Sequence, residues 1–258
     1  MTDSKRSGKI TRPDGESLAY MLETPASLAG PTGLVWLGGF KSDMTGTKAC
    51  ALADWAAANG RHLLRFDYFA HGQSSGDFTQ ATVGRWLDDA LAAFDELTTG
   101  PQILVGSSMG GWIALLLALR RPERVKALTL IAPAPDFTEE LMWKNFSDEV
   151  RNVLLAEGVY RRPSEYDDEP YEITMKLIEE GRRHLLLGQE IPLTLPVRIL
   201  QGMADPDVPW GHAMRLVEAL ASSDVTIRLS KTGDHRLSTP DDIARLTQTI
   251  ETLLAAID

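Results

Sequence analysis

The stretch "ILVGSSMGGW", from Ile103 to Trp112, places a hydroxyl among residues with no bulk. An apolar run stops at Gly106, Ser107 and Ser108 follow, and Gly110 and Gly111 precede a second apolar run. Gly106-Ser107-Ser108-Met109-Gly110 fits the pattern G-x-S-x-G between an expected strand and an expected helix. In that setting a tight turn thrusts the central serine out of the strand edge. Such a turn strains the serine backbone, and the residues two before and two after approach other backbone too closely to carry a side chain. It also aims the Met109 N–H, at the start of the helix, toward negative charge developing beside Ser108. Ser107 lacks the symmetric glycines and is the lesser nucleophile candidate.

A serine hydroxyl is a poor nucleophile without a base, and the base needs a carboxylate to orient it. Of the five histidines, His62 opens an apolar strand, His184 lies in a helical segment and His212 lies in the first turn of a helix. His71 and His235 sit on loops after strands. His235, in "SKTGDHRLSTP", follows the last strand, where the base belongs in the chain order serine, acid, histidine. His71, in "FDYFAHGQSSG", precedes the serine and reads as a residue that holds its own loop. Three aspartates compete for the acid position. Asp205, in "LQGMADPDVPW", stands three residues past Gly202 at a strand end and is the best placed. Asp207 reads as a helix N-cap, and Asp234 adjoins His235, where neighbouring side chains seldom face each other. A second N–H donor for an oxyanion is expected from "WLGGFKSD". There Gly38 and Gly39 let the backbone reach the serine, and Phe40 carries the N–H.

These residues need a frame. "SLAYML", "GLVWL", "HLLRFDY", "QILVG", "VKALTLIA", "VRILQG" and "VTIRLS" read as strands, and helical segments stand between most of them. Short, nearly all-apolar strands alternating with helices predict a largely parallel sheet covered on both faces, an α/β fold. The final helix, "DDIARLTQTIETLLAAI", is expected to start at a Thr239 cap with Pro240 in its first position.

The alternation breaks between residues 133 and 196, a segment with fourteen acids against seven bases. It shows no convincing strand and two helical stretches, "TEELMWKNFSDEVRNVLLAEG" and "YEITMKLIEEGRRHLLLG". The expected organisation is therefore a core of residues 1–132 and 197–258, interrupted by a helical lid over 133–196. Phe137, Leu141, Met142, Phe146 and Val150 recur at helical spacing there. They either line a pocket for an apolar group or pack the lid onto the core. Arg161 and Arg162 read as a solvated pair, with a substrate carboxylate as the alternative partner.

Totals exclude several classes. A net charge of −10 argues against nucleic acid as the main partner. A single cysteine, Cys50, rules out an internal disulfide and reads as a small buried hydrophobe on a helix. No closely spaced His/Cys set suggests a metal, no cofactor is implied, and carboxylates such as "YDDEP" read as solvated surface. No apolar run is long enough for a membrane span. The start of the chain has no secretory pattern and no arginine-rich amphipathic segment before Lys9, so a cytoplasmic protein is the expectation.

With these residues assembled, the chain resembles the α/β-hydrolase superfamily: "FDYFAHGQSSG" resembles its loop after the fourth strand, "GSSMGGW" its serine turn and "GMADPDVPW" its acid loop. "GTKA", "RFDY", "GPQILVGSSMGGW", "RPERV", "PSEY", "DVPW" and "DHR" resemble a mitochondrial branch of it that cleaves acyl glucuronides and S-palmitoylated proteins. The resemblance implies an eight-stranded, mostly parallel sheet and the triad Ser108, Asp205 and His235. It also implies hydrolysis of a small ester or thioester, or of an S-acylated protein. Two other readings stay open: a triad hydrolase acting on a lactone or a carbon–carbon bond, and a non-catalytic acyl-binding protein of the same fold.

Overall fold

All five residues of β3 (Gly33–Leu37) are buried, because helices cover the sheet on both sides. The period of two sorts its side chains. Leu34 and Trp36 join one core with Ile103, Val105 and Ala127 of β5 (Gln102–Ser107) and β6 (Val125–Ile131), under α1 (Thr47–Ala58) and α7 (Pro240–Ile257). Val35 and Leu37 join the other core with Leu104, Leu128 and Leu130, under α2 (Val83–Leu97), α3 (Met109–Arg120) and α6 (Trp210–Ala219).

The computed structural model describes residues 4–162 and 171–258. With β1 (Ser4–Thr11), β2 (Ser17–Thr24), β4 (Leu63–Phe66), β9 (Val197–Gly202) and β10 (Val225–Ser230), the main sheet has eight strands in the order β1-β2-β4-β3-β5-β6-β9-β10. β1 and β2 pair antiparallel, β2 meets β4 antiparallel, and every later pairing is parallel. β5 therefore lies mid-sheet, and its C-terminal end opens between β3 and β6. The α7 cap forms as the sequence predicts. Thr239 Oγ1 accepts the Asp242 N–H, and Asp242 Oδ2 accepts the Thr239 N–H at 3.2 Å. Among the described residues, no helix is long and apolar enough to cross a membrane.

Several expectations need correction. β1 does not appear in the strand reading, because "SKRSGKIT" has one apolar residue and the strand is made by edge pairing with β2. Cys50 is exposed rather than buried. Its helix buries Ala49, Leu52, Ala53 and Ala56 instead. The segment after β6 contains strands: β7 (Val159–Arg162) and β8 (Tyr171–Thr174) form an antiparallel pair. Its first helical stretch is broken into a π-helical turn (Thr138–Met142), a 3₁₀ turn (Trp143–Asn145) and α4 (Asp148–Glu157), which restarts at a Ser147 cap. Its second begins as β8 and becomes α5 (Met175–Gly181) only after Thr174 caps the Leu177 N–H. Arg161 stands on β7 rather than in a loop and pairs with Glu172 across the small hairpin at 3.1 Å. "YDDEP", Tyr166–Pro170, and "PSEY" lie outside the described residues.

One polar residue pins this inserted segment. Asp136, buried and with φ +58°, accepts the N–H groups of Leu186 (2.8 Å) and Leu187 (2.8 Å), joining the segment's two ends. Burial raises its carboxyl above the usual aspartate range despite these bonds. His212 on α6 holds the Pro135 carbonyl at 2.7 Å, and Trp112 Nε1 donates to the His184 carbonyl at 3.1 Å.

Candidate active site

Ser108 joins β5 to α3 with φ +55° and ψ −119°, a conformation L-residues avoid. Three backbone bonds over-determine it. Ser108 N–H donates to Ile131 O at 2.9 Å, and Ser108 O accepts from Gly111 N–H at 2.9 Å and Ala134 N–H at 3.1 Å. The flanking glycines are there for space. A Cβ on Gly106 would collide with the Gly110 carbonyl, and one on Gly110 with the Leu37 and Gly38 carbonyls. Gly39 backs onto the same turn, its absent Cβ lying 3.4 Å from Ser108 Cβ. The chain next to Phe40 N therefore runs beside the serine, while Met109 N opens α3 on its other flank.

The later strands bring two more groups to this point. His235 Nε2 lies 3.0 Å from Ser108 Oγ, and His235 Nδ1 lies 2.8 Å from Asp205 Oδ2. Asp205 is buried. Its Oδ1 accepts the N–H groups of Asp207 at 2.9 Å and Val208 at 2.8 Å, so both carboxylate oxygens are committed. This orientation makes Nδ1 the protonated ring nitrogen and leaves the Nε2 lone pair to the serine hydroxyl. His235 keeps a side-chain exposure of 23%, enough for a substrate to reach it.

The rival acids stand elsewhere. Asp207 is exposed and does not cap α6, which starts after Pro209, so the N-cap reading fails. Asp234 Oδ1 accepts the Leu237 N–H at 2.9 Å and braces the histidine loop, where Leu237 has φ +45°. Asp205, Asp207 and His235 bring three donor atoms within 4.8 Å of one another. Asp205 and His235 are already bonded to each other.

Two supports escaped the sequence reading. Gln201, buried near the end of β9, donates through Nε2 to the carbonyls of Gly202 and Val208, both at 3.0 Å, and to Asp205 Oδ2 at 3.3 Å. A lone amide in the apolar strand "VRILQG" was the available signal. Lys48 on α1 donates to the Arg236 carbonyl and reaches Ser238 Oγ at 3.4 Å, and burial pushes its amine down to about 8. Nothing in "GTKACALADW" marks it.

The five apolar candidates of the insertion separate, with Val150 half-buried on α4. Phe137 is buried and packs edge-on between the rings of Phe40 (5.7 Å) and Trp112 (5.7 Å), so it belongs to the core. Leu141 and Met142 are half-buried on the same core. Phe146 stacks edge-on with Tyr160 of β7 at 6.3 Å.

The arrangement matches known proteins. A family model described as alpha/beta hydrolase fold matches residues 47–176. The human protein named palmitoyl-protein thioesterase ABHD10, mitochondrial, is 38% identical over 95% of this chain and 79% of its own length. A crystal structure of a putative hydrolase from Agrobacterium vitis S4 superposes with a TM-score of 0.91 at 44% identity, covering 98% of this chain and 99% of that one. The mouse alpha/beta hydrolase domain-containing protein 10 superposes with a TM-score of 0.88 at 36% identity, covering 98% of this chain and 100% of its own. The curated relatives at 38–39% identity are named mitochondrial, which overturns the cytoplasmic expectation. That expectation rested on residue types before Lys9, and the relatives show that this fold is not tied to the cytoplasm.

Proposed function

This chain belongs to the alpha/beta hydrolase family, and from that premise we propose that it is a serine hydrolase cleaving carboxylic thioesters or esters through an acyl-serine intermediate. The unbroken relay from Ser108 Oγ through the His235 ring to Asp205 carries the proposal.

His235 Nε2 takes the Ser108 proton as Oγ adds to the substrate carbonyl carbon. The carbonyl π electrons move to oxygen, and the N–H groups of Phe40 and Met109 meet that oxyanion. Each such donor contributes about 3–4 kcal/mol to the transition state. Asp205 holds the ring in the required tautomer and stabilises the imidazolium. Collapse of the adduct expels the thiolate or alkoxide, which leaves with the proton from His235 Nε2. Water, deprotonated by the same nitrogen, then attacks the acyl-serine. The second adduct releases the carboxylic acid and returns the proton to Ser108.

Two observations favour an apolar acyl group. The Phe40 ring packs edge-on against Phe78 at 5.3 Å and Phe137 at 5.7 Å, an apolar cluster on the residue that follows the glycine pair. Leu141 and Met142 extend that apolar face into the insertion. Relatives named for palmitoyl-protein thioester cleavage support an S-acylated protein or a small acyl thioester as substrate.

The test is a panel of p-nitrophenyl esters, acyl-CoA thioesters, S-acyl peptides and acyl glucuronides, run beside labelling by a fluorophosphonate probe. Labelling at Ser108, with turnover of at least one ester or thioester class, supports the reading. Folded protein that neither labels nor turns over any of the panel, while a control serine esterase does both, ends it.

A further inference from the structure

The turn that carries Phe40 is held from outside by a histidine that the mechanism above does not use. Gly39 to Ser42 form a turn closed by Ser42 N–H to Gly39 O at 3.2 Å, with Lys41 in its third position at φ +54°. A positive φ there suits glycine, not lysine. Rotating the central peptide between Phe40 and Lys41 would return Lys41 to negative φ and turn its N–H, and the dipole of that peptide, to the opposite face of the turn. The strained form therefore needs an outside anchor.

His71 is that anchor. Its Nδ1–H donates to the Phe69 carbonyl at 3.0 Å, which leaves Nε2 as an acceptor, and Nε2 receives the Lys41 N–H at 3.0 Å. The ring is 3% exposed and boxed edge-on by Tyr68 (5.8 Å) and Trp86 (5.4 Å), so it cannot swing away. Burial pushes its imidazole down to about 4, which keeps the ring neutral and Nε2 free to accept. Two further bonds sit beyond the turn. Asp67 Oδ1 accepts the Met44 N–H at 2.7 Å, and Arg65 donates to the Met44 carbonyl at 2.8 Å. Both act at Met44, whereas His71 acts directly on the Phe40–Lys41 peptide through the Lys41 N–H.

We propose that His71 is a positioning residue for transition-state stabilisation: by accepting the Lys41 N–H it locks the Gly39–Ser42 turn in the form that presents the Phe40 N–H to the oxyanion. This rests on the serine-hydrolase reading and on Phe40 as a donor. Truncating Phe40 leaves its N–H in place, and His71 offers a side chain through which that donor is open to mutation.

The test compares His71→Leu, which fills similar space without an acceptor, with His71→Gln, whose Oε1 can stand near the position of Nε2. On an ester that the wild type turns over, His71→Leu is expected to lose about 100-fold in kcat, the scale of one lost oxyanion donor, with KM within threefold. Affinity for a trifluoromethyl ketone, which binds as the oxyanion, should fall in parallel. His71→Gln should recover at least tenfold of that loss. Folded His71→Leu with wild-type kcat and ketone affinity would overturn the proposal, and so would a Gln variant no better than Leu. Should His71→Leu not fold, the wild-type ring decides through ¹⁵N-histidine NMR at pH 7. A protonated Nε2 overturns the proposal, and a bare Nε2 coupled to the Lys41 amide supports it. The parent reading fails separately, when wild-type protein neither turns over ester nor labels at Ser108.

Discussion

The rim of the main sheet and the segment inserted after β6 hold their polar groups by different means. At the rim, Ser108, Asp205 and His235 follow strand ends, and each is fixed by bonds to nearby backbone or to one another. The register of β5, β6, β9 and β10 sets the distances between them. In the insertion, short helices and a two-stranded hairpin are packed by apolar contact and pinned by a few polar points, chiefly Asp136. The rim is positioned by backbone and the insertion by side chains, so mutations should injure chemistry in the first and stability or substrate choice in the second.

The sharpest way to break that contrast is Ser108→Ala. It should cut kcat/KM by roughly 10⁴–10⁶-fold and abolish fluorophosphonate labelling, while the thermal midpoint moves little. Substantial residual activity would mean that the rim is not where the chemistry happens. Next comes Asp205→Asn, expected to lower kcat by about 10³–10⁴-fold through the wrong ring tautomer. Exposed Asp207→Asn should stay within threefold of wild type, and steady-state kinetics of the pair separates the two acids.

A third prediction uses the buried ring of His71. Its folded value of about 4 lies below the ordinary histidine value of 6.5, so the unfolded chain binds the extra proton between those limits. Stability is then fully present above pH 6.5 and declines as pH falls toward 4, by on the order of 3 kcal/mol. Urea melts across that range should show a flatter profile for His71→Gln. The smallest effect belongs to the insertion. Asp136→Asn removes acceptor capacity from the Leu186 and Leu187 N–H groups and should cost about 1–3 kcal/mol of stability, measured by denaturant melts. Turnover of a short-chain ester should stay within a few-fold. A loss of kcat as deep as that of Asp205→Asn would erase the proposed division between the regions.

The same division explains what could be read from residues alone. That Ser108, Asp205 and His235 meet in one hydrogen-bonded set is legible because glycines, strand ends and chain order announce backbone constraints. Leu34 and Val35 were legible as a two-faced strand because burial on both sides leaves an unbroken apolar run. β1 was not, since an edge strand of Lys, Arg, Ser and Gly shows little alternation and exists through pairing with β2. Phe137 and Phe146 share a spacing but not a surface, because a π-helical turn and a 3₁₀ turn intervene and shift the phase. Asp207 reads as a cap, but α6 begins only at Trp210, with Pro209 in the capping position. The bond from Lys41 to His71 joins loops thirty residues apart and leaves no local trace.

β6 ends at Ile131 and β9 starts at Val197, and the two strands lie side by side with Leu128 opposite Val197. Three strand residues therefore separate the exit of the insertion from its re-entry, a gap of about 10 Å. Closing a longer excursion over that gap costs only in proportion to the logarithm of its length. The same sheet thus tolerates an excursion of very different length at this point without any change in the pairing of β6 with β9.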